Sequence, residues 1–308
     1  LRAPFVNNRI DPSAFSAPSL NLLKRMPSTA DPCGAIHFGR KSNNDEQIAV
    51  GKMDYTRSEK HSLFGRYELA RLITPTDYDG VNLLSTSQAD YNRQVKSFVL
   101  GDTYLIGAGT VSSFRSTVLR TTNPKTSRDY FTLSDLGVKN VYNQPNYPKL
   151  PIITVAGGFS IYGAPGTPGF TNSTAIQFTE DLSFVRGAHQ IGFGGNFIHT
   201  KMNLQATTRV PGNVAFAATN TGMGLGDFML GRLSTWDQSN ITSYYFRQNF
   251  VAAYLQDTWK ATSRLTVNGG VRWEPSLPPW EKHGHVLHFQ QTAFAQGIRS
   301  TVFKNGPA

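Results

Sequence analysis

The sequence predicts an all-β protein built from consecutive antiparallel hairpins, and three observations lead to this fold class. Stretches in which apolar and polar residues alternate are long, and they come in pairs that are joined by short polar turns. The connections between one pair and the next are much longer and are rich in Asn, Thr, Gly and Pro. Charged residues make up 16% of the 308 residues, whereas about 25% is usual in a soluble domain.

The alternating stretches predict four hairpins. Each strand contains about ten or more residues, which exceeds the about five or six that are usual in globular sheets. Roughly ten residues is also the length that a tilted strand needs to cross a bilayer. The predicted strand pairs are residues 47–56 with 61–70, 93–106 with 111–120, 175–185 with 190–203, and 249–259 with 265–274.

Long connections distinguish one end of these hairpins from the other. They cover residues 71–92, 121–174 and 204–248, and structureless loops of this length are unusual in a compact domain. Short turns at one end and long loops at the other are typical of outer-membrane barrels, in which the turns are periplasmic and the loops are extracellular. We therefore expect an antiparallel up-and-down transmembrane β-barrel in the bacterial outer membrane.

The order of these features predicts two parts of the chain. Residues 1–45 form a lead-in segment before the hairpins, and residues 46–308 form part of a barrel. The chain opens with Leu1 rather than Met and has no apolar signal core, so we expect an internal piece of a longer protein. The barrel is then expected to be incomplete, with about 8–10 strands of a larger closed barrel.

Alternation assigns the residues of each strand to two faces, one that contacts lipid and one that lines the lumen. The same alternation in a soluble β-sandwich would separate core from water, so the pattern alone leaves that alternative open. Glu180 falls in phase with apolar residues, and we expect a β-bulge to turn it inward. The polar candidates for lining the lumen, which in the simplest interpretation hydrate it and pair with one another, are Arg66, Glu68, Asn196, Asn268, Arg272 and Glu274.

Residues 254–274, with the sequence YLQDTWKATSRLTVNGGVRWE, resemble a hairpin of TonB-dependent outer-membrane receptors. The resemblance is closest to the Oar-like type, which carries a carboxypeptidase-regulatory-like domain. Other stretches resemble the same family and keep its order along nearly the whole chain. They are residues 8–12 with 22–27, residues 52–55 with 58–64, residues 181–195 (DLSFVRGAHQIGFGG) and residues 226–231 (GDFMLG).

The resemblance implies a receptor that binds a large or scarce solute and imports it with energy transmitted by TonB. The plug domain and the TonB box, through which the family contacts TonB, are not found in this sequence. The implied partners are TonB, outer-membrane lipid and an unknown extracellular ligand, which the loops at 121–174 and 204–248 would capture. Transport needs no cofactor and no covalent chemistry, so the chain is not expected to be an enzyme.

Other functions fit the same architecture. A passive porin or a surface adhesin would have the same hairpins without TonB, and a soluble all-β binding module is a weaker alternative. A nucleic-acid partner is not expected, because the basic residues behind the net charge of +10 are scattered rather than clustered. The single cysteine, Cys33, excludes a disulfide scaffold.

A group of histidines near residue 285 has the spacing H-x-H-x-x-H. Imidazole rings at this spacing can ligate zinc or copper, but a polar extracellular loop is the simpler interpretation after two consecutive prolines. We therefore predict no metal site, with His283, His285 and His288 as weak candidates. Residues 222–226 are expected to be a flexible loop that leads into a turn.

Overall fold

The computed structural model describes residues 9–78, 80–86, 89–126, 130–144, 150–163, 167–286 and 289–298. Two sheets make up most of this part of the chain. One is a large antiparallel sheet, the main sheet, and the other is a small mixed sheet that packs with two helices into what we call the cap. No helix within the described residues is long and apolar enough to span a membrane.

Strands dominate the described residues, and the helices are short. Single turns of 3₁₀-helix lie at Pro12–Ala14, Leu83–Ser85 and Ser134–Leu136. The α-helices are α1 (Ala17–Leu23), α2 (Gly224–Met229) and α3 (Gln291–Ala295). The strands are β1 (Asp45–Ser58), β2 (His61–Thr74), β3 (Asp90–Leu105), β4 (Thr110–Thr126), β5 (Ile152–Val155), β6 (Ser160–Ile161), β7 (Gly169–Arg186), β8 (His189–Ala206), β9 (Asn213–Phe216), β10 (Thr235–Asp237), β11 (Thr242–Lys260), β12 (Thr266–Trp273) and β13 (Trp280–Glu281).

The main sheet has the strand order β1-β2-β3-β4-β7-β8-β11-β12, and β13 pairs with the start of β11. Every neighbouring pair is antiparallel, which confirms the four predicted hairpins and the up-and-down topology. Apart from β12, the long strands contain 14 to 19 residues. They are therefore longer than predicted and exceed the about 9–11 residues that a bilayer crossing needs.

The register divides the main sheet into two faces, because directly paired residues of an antiparallel sheet point to the same side. The division is the one that alternation predicts. The apolar face carries Leu63, Tyr67, Phe98, Leu100, Val118, Phe178, Phe193, Phe197, Leu255, Val271 and Trp273. The polar face carries Arg66, Glu68, Arg115, Thr117, Gln177, Thr179, Asp181, Asn196, Tyr254, Asn268 and Arg272.

Glu180 lies on the apolar face, so the expected β-bulge is wrong. The register of β7 with its two neighbours runs unbroken through Glu180, which pairs with Phe114 on one side and Gly195 on the other. Its carboxylate accepts a 2.6 Å hydrogen bond from the hydroxyl of Ser112. A neighbouring polar side chain, rather than a change of register, therefore offsets the cost of placing this charge among apolar groups.

The long connections form the cap, so the prediction that they lack regular structure is wrong. Strands β5, β6, β9 and β10 lie within these connections and form a sheet in the order β10-β9-β5-β6, with β5 parallel to β9. Each of these strands contains two to four residues. Alternation over so few residues is too short to be recognised as a strand in the sequence.

A buried hydrophobic core holds the cap together. Residues from α1, from α2, from two of the 3₁₀ turns and from the small sheet meet there, although they come from distant parts of the chain. Among the described residues, none of this core comes from a strand of the main sheet. Its buried members are Leu22, Leu83, Leu84, Leu133, Leu136, Leu150, Ile153, Val155, Ile161, Val214, Phe216 and Phe228.

Helix α2 begins at Gly224, so the flexible loop that the sequence predicts at residues 222–226 is wrong as well. Asp227, which is fully buried, accepts hydrogen bonds from the backbone N–H groups of Asn220 (3.0 Å) and Thr221 (2.6 Å). The next residue, Phe228, packs in the cap core. These two side chains anchor the helix, one through the backbone of the preceding turn and one through the core.

The outer strands of the main sheet are β1 and β12. Each has one neighbouring strand among the described residues, and both are exposed along their whole length. Strand β1 begins at Asp45, next to the predicted boundary between a lead-in of residues 1–45 and a barrel of residues 46–308. That division into two parts stays a prediction.

Candidate functional site

A cluster of polar side chains lies on the polar face of the main sheet. It surrounds a cavity of about 250 Å³ to which β4, β7, β8, β11 and β12 contribute. The antiparallel register brings residues from these five strands together, because paired positions share a face. We call this group the polar cluster, and its polar members are Arg115, Thr117, Gln177, Thr179, Asp181, Asn196, Tyr254 and Arg272.

Asp181 is the centre of the charged part of the cluster. The hydroxyl of Tyr254 donates a 2.7 Å hydrogen bond to Asp181 Oδ1, and Arg115 Nη1 lies 3.9 Å from Asp181 Oδ2. Tyr254 belongs to β11 and Asp181 to β7, so the phenol reaches across β8, where Gly194 is the residue that pairs with both. This hydrogen bond therefore links two strands, β7 and β11, that are not neighbours in the main sheet.

Gly194 makes that reach possible. A Cβ atom at this position would lie 2.5 Å from the carbonyl oxygen of Glu180, 2.7 Å from the ring of Tyr254 and 2.8 Å from Asp181 Oδ1. These distances are far shorter than ordinary contacts between non-bonded heavy atoms. Any other residue would therefore lift the phenol of Tyr254 away from Asp181.

A second group in the cluster is uncharged. Gln177 Nε2 donates hydrogen bonds of 3.2 Å to Asn196 Oδ1 and of 3.2 Å to Thr179 Oγ1. The hydroxyl of Thr179 in turn donates a 3.3 Å hydrogen bond to Asn196 Oδ1. These three hydrogen bonds hold the side chains of Gln177, Thr179 and Asn196 against one another along the cavity wall.

Arg272 completes the cluster on the β12 side. Its Nε lies 2.7 Å from Oε2 of Glu274, and the Arg272 side chain is 52% exposed, as is that of Arg115. Ion pairs this exposed add little to stability. Two half-exposed guanidinium groups beside two carboxylates can instead form directed hydrogen bonds to a polar solute or to a polar protein surface.

Five of the six residues predicted to line the lumen lie on the polar face of the main sheet, and the sixth, Glu274, directly follows β12. The structure brings only half of the six together. Asn196 and Arg272 belong to the polar cluster, and Glu274 pairs with Arg272. Their predicted role in lining a lumen stays a prediction. The residues outside the cluster, on β2 and near the turn between β11 and β12, are Arg66, Glu68 and Asn268.

Sequence reasoning missed Arg115, Asp181 and Tyr254. A signal existed for Asp181, because its neighbour Glu180 is in phase with apolar residues and the next residue must face the other way. Tyr254 is the first residue of the 254–274 stretch that resembles a hairpin of TonB-dependent receptors. Their meeting could not be foreseen, because it depends on the register of strands that are separated by long connections.

Two histidine–aspartate pairs occupy the apolar face at the end of the sheet that carries the short turns. His61 Nε2 lies 2.9 Å from Asp102 Oδ1, and His189 Nδ1 lies 2.6 Å from Asp257 Oδ2. Each imidazole also contacts an aromatic ring of the paired strand. Each histidine directly follows a short turn, so both of these pairs lie near the rim of the apolar face.

The candidate histidines do not converge on a metal site in the part of the chain that the structure describes. The ring centroids of His283 and His285 are 5.8 Å apart, and His288 lies outside the described residues. No group of three or more His, Cys, Asp or Glu side chains among the described residues is placed to hold a metal ion.

Glu281 organises this histidine turn. Its side chain is 1% exposed and accepts hydrogen bonds of 2.8 Å from the backbone N–H groups of Tyr245, His283 and His285. Burial acts to raise the pKa of Glu281, but these hydrogen bonds and the electrostatic effect of His285 outweigh it, and the pKa falls to about 2. The carboxylate therefore fastens the turn to β11.

Comparison with known proteins gives one match. A family model described as "Outer membrane beta barrel domain" matches residues 1–307, which include both the main sheet and the cap. No curated protein matches the sequence, and no solved structure matches it either.

Proposed function

The chain belongs to the outer membrane beta barrel domain family, and from this premise we propose that it is part of a TonB-dependent receptor of the Oar-like type. The protein is located in the bacterial outer membrane. Under the proposal, it binds a large or scarce solute outside the cell and imports it. The parent receptor draws its energy from TonB, and this chain supplies barrel strands and the structure that captures the solute.

The orientation of the main sheet follows from the physics of a membrane barrel. Short turns face the periplasm, long connections face the outside, and the lipid-facing band is apolar while the interior is polar. The cap is then extracellular, the apolar face contacts lipid and the polar cluster faces the lumen. Exposed apolar side chains such as Leu255 (51%) and Val271 (66%) support this orientation, because a contiguous apolar surface marks contact with a membrane or a partner.

The observation that carries the TonB-dependent part of the proposal is the ordered resemblance along the chain. Residues 254–274 span the hairpin β11–β12, and residues 181–195 span the turn between β7 and β8. Residues 226–231 contain most of α2, where Asp227 and Phe228 anchor the cap. The resembling stretches thus coincide with structural elements of both the main sheet and the cap.

In such a receptor the cap and the polar cluster have different roles. The cap, with its own core, offers a rigid extracellular surface to a solute, which lowers the entropy that binding would otherwise cost. The polar cluster offers guanidinium, carboxylate and amide groups to a plug domain or to the passing solute. No covalent chemistry and no cofactor enter the proposal.

Full-length protein reconstituted into lipid vesicles tests this function. A receptor whose lumen holds a plug should not let small sugars cross, so the vesicles should not swell, whereas a passive porin should give immediate swelling. The periplasmic domain of TonB should bind the same full-length protein in a pull-down, and removal of its TonB box should abolish that binding. Swelling without TonB binding would indicate a porin, and neither swelling nor TonB binding would indicate an adhesin.

A further inference from the structure

The cap contains a mostly apolar cleft that opens to solvent. It has a volume of about 330 Å³ and lies between α1, the small sheet and the 3₁₀ turn Ser134–Leu136. Its inner wall is made by Leu22, Leu136, Ile153 and Phe228, each of which is at most 3% exposed. Well-packed cores leave few voids larger than a water molecule, whereas this space equals roughly eleven water molecules at about 30 Å³ each.

The size and chemistry of the cleft fit a small ligand. Pockets for small molecules begin at about 300 Å³ and are mostly apolar, with a few polar groups that orient the ligand. Ser19 lines the inner part, but its hydroxyl already donates a 2.5 Å hydrogen bond to the carbonyl oxygen of Phe228. The inner part therefore offers dispersion contacts and little hydrogen bonding, as an aliphatic or aromatic group requires.

The mouth of the cleft carries the polar end of the site. Leu233 (46% exposed) and Trp236 (39% exposed) line the cleft and reach solvent. Lys139 also lines it, is exposed, and is the charged residue of the lining. Among the described residues, Lys139 forms no ion pair with a carboxylate within 4.0 Å, so its ammonium group can pair with an anion at the mouth.

We propose that this cleft binds a small amphiphilic carboxylate, with its apolar body between α1 and the small sheet and its carboxylate on Lys139. As the site at which the solute is captured, this inference rests on the proposed function of the chain. The ligand class follows from charge complementarity at the mouth and from the apolar wall inside. Burial of the apolar body gives the affinity, and the ion pair selects the acid over neutral or cationic molecules of the same length.

Binding can be measured on full-length protein in amphipol, labelled with 5-fluorotryptophan. The ¹⁹F resonance of Trp236, assigned by comparison with the Trp236→Phe variant, reports on the cleft. The resonances of Trp259, Trp273 and Trp280 report on non-specific partition of the probe. Octanoate is the probe, and 1-octanol and octylamine are its neutral and cationic controls. Octanoate should shift the Trp236 resonance saturably and should leave the other three unchanged.

Two variants separate the parts of the site. Lys139→Gln should weaken octanoate about tenfold and leave 1-octanol unchanged, because one charge-assisted contact is lost. Val141→Phe, which adds volume in the lining, should weaken both at least tenfold. Val81→Phe is the matched control, because it adds the same volume at a position of the cap connections that is 77% exposed and outside the cleft.

Several results would overturn the inference. They are the lack of a saturable Trp236 shift, equal affinity for octanoate before and after Lys139→Gln, and unchanged binding to a folded Val141→Phe variant. If Val141→Phe unfolds the cap, Lys139→Gln decides alone, because its side chain lies on the surface. TonB binding and vesicle swelling are measured without octanoate, so failure of this site and failure of the proposed function are distinguishable.

Discussion

The main sheet and the cap bury their side chains in opposite ways. The cap has a core of side chains such as Leu22, Ile161 and Phe228, each almost fully buried. The main sheet contributes nothing to that core among the described residues, and its own apolar side chains, such as Phe98 and Trp273, point outward and are about half exposed. The cap is thus organised as a soluble domain is, around an interior that excludes water.

The two regions therefore need different surroundings. Backbone pairing satisfies the polar groups inside the main sheet, and under the proposed orientation lipid covers its apolar face, as in a membrane barrel. The cap buries its apolar side chains in its own core and needs no lipid to cover them. Changes in the cap core should therefore act on the cap alone, whereas changes at strand contacts should act on the main sheet alone.

The largest expected effect comes from the cap core. Phe228 packs edge to face on Phe159 and Phe216, with ring centroids 5.2 and 5.3 Å apart. Phe228→Ala should destabilise the cap by about 3–5 kcal/mol, while the main sheet keeps its stability. Urea unfolding followed by the ¹⁹F resonance of Trp236 measures the cap, and Phe289→Ala, at a 74% exposed position, is the control. An equal loss of stability in the cap and in the main sheet would show that the two regions do not fold independently.

The second prediction concerns the buried charge of Asp227, which should stabilise the cap and not the main sheet. Burial acts to raise its pKa, but hydrogen bonds from Asn220 and Thr221 hold it below the ordinary value of 3.8. Because the folded-state pKa is lowered, the charge stabilises the cap above pH 3.8, and this contribution is lost as the pH falls through the folded-state pKa. Asp227→Asn should cost about 1.5–3 kcal/mol at neutral pH.

The dependence of cap stability on pH provides a control for this prediction. The wild-type cap should lose stability as the pH falls below 3.8, and the Asp227→Asn variant should lack that part of the decline. Urea midpoints of the Trp236 resonance at neutral and at acid pH measure both. Parallel profiles for the two proteins would show that the charge of Asp227 does not stabilise the cap.

A change at Gly194 should act on the main sheet and spare the cap. The added Cβ of Gly194→Ala meets the carbonyl oxygen of Glu180 at 2.5 Å and the ring of Tyr254 at 2.7 Å, so the strands must shift, at a cost of about 1–3 kcal/mol. Gly65→Ala is the matched control, since no atom lies within 4 Å of its added Cβ. Urea midpoints of the main sheet in lipid vesicles measure both, and equal midpoints would contradict the account.

The smallest expected effect is that of Tyr254→Phe, which removes one hydrogen bond to Asp181 and keeps the ring. The main sheet should lose about 0.5–1.5 kcal/mol, and the Trp236 resonance of the cap should unfold as in the wild type. Tyr104→Phe, on the apolar face, is the control, and its urea midpoint should stay at the wild-type value. If Tyr104→Phe lowered the stability of the main sheet more than Tyr254→Phe does, the hydrogen bond to Asp181 would not be the more important contact.

The main sheet could be predicted from the sequence because the evidence for a strand is local. A period of two residues is visible within one strand, so the hairpins and their faces could be predicted. Strand ends were underestimated where alternation breaks down. Tyr244, Tyr245 and Phe246 follow one another without alternation, yet they pair with Leu204, Asn203 and Met202 in an unbroken register.

The cap could not be predicted for the opposite reason. Its strands are too short to show a period, and the parallel pairing of β5 with β9 joins residues that are about sixty positions apart. Within the cap, residues 22–27 and 226–231 carried a signal, through their resemblance to family motifs. The same limit hid the polar cluster, whose residues were assignable to a face but whose contacts depend on five strands meeting in register.

Spin labels along β2 can establish which face of the main sheet contacts lipid and which faces the lumen. Single cysteines at residues 62–68 in a Cys33→Ser background carry a nitroxide in full-length protein reconstituted in lipid. Collision with oxygen should be highest at Leu63, Gly65 and Tyr67, and collision with a water-soluble nickel reagent should be highest at the positions between them. The reverse phase, or no alternation at all, would show that the assigned orientation is wrong.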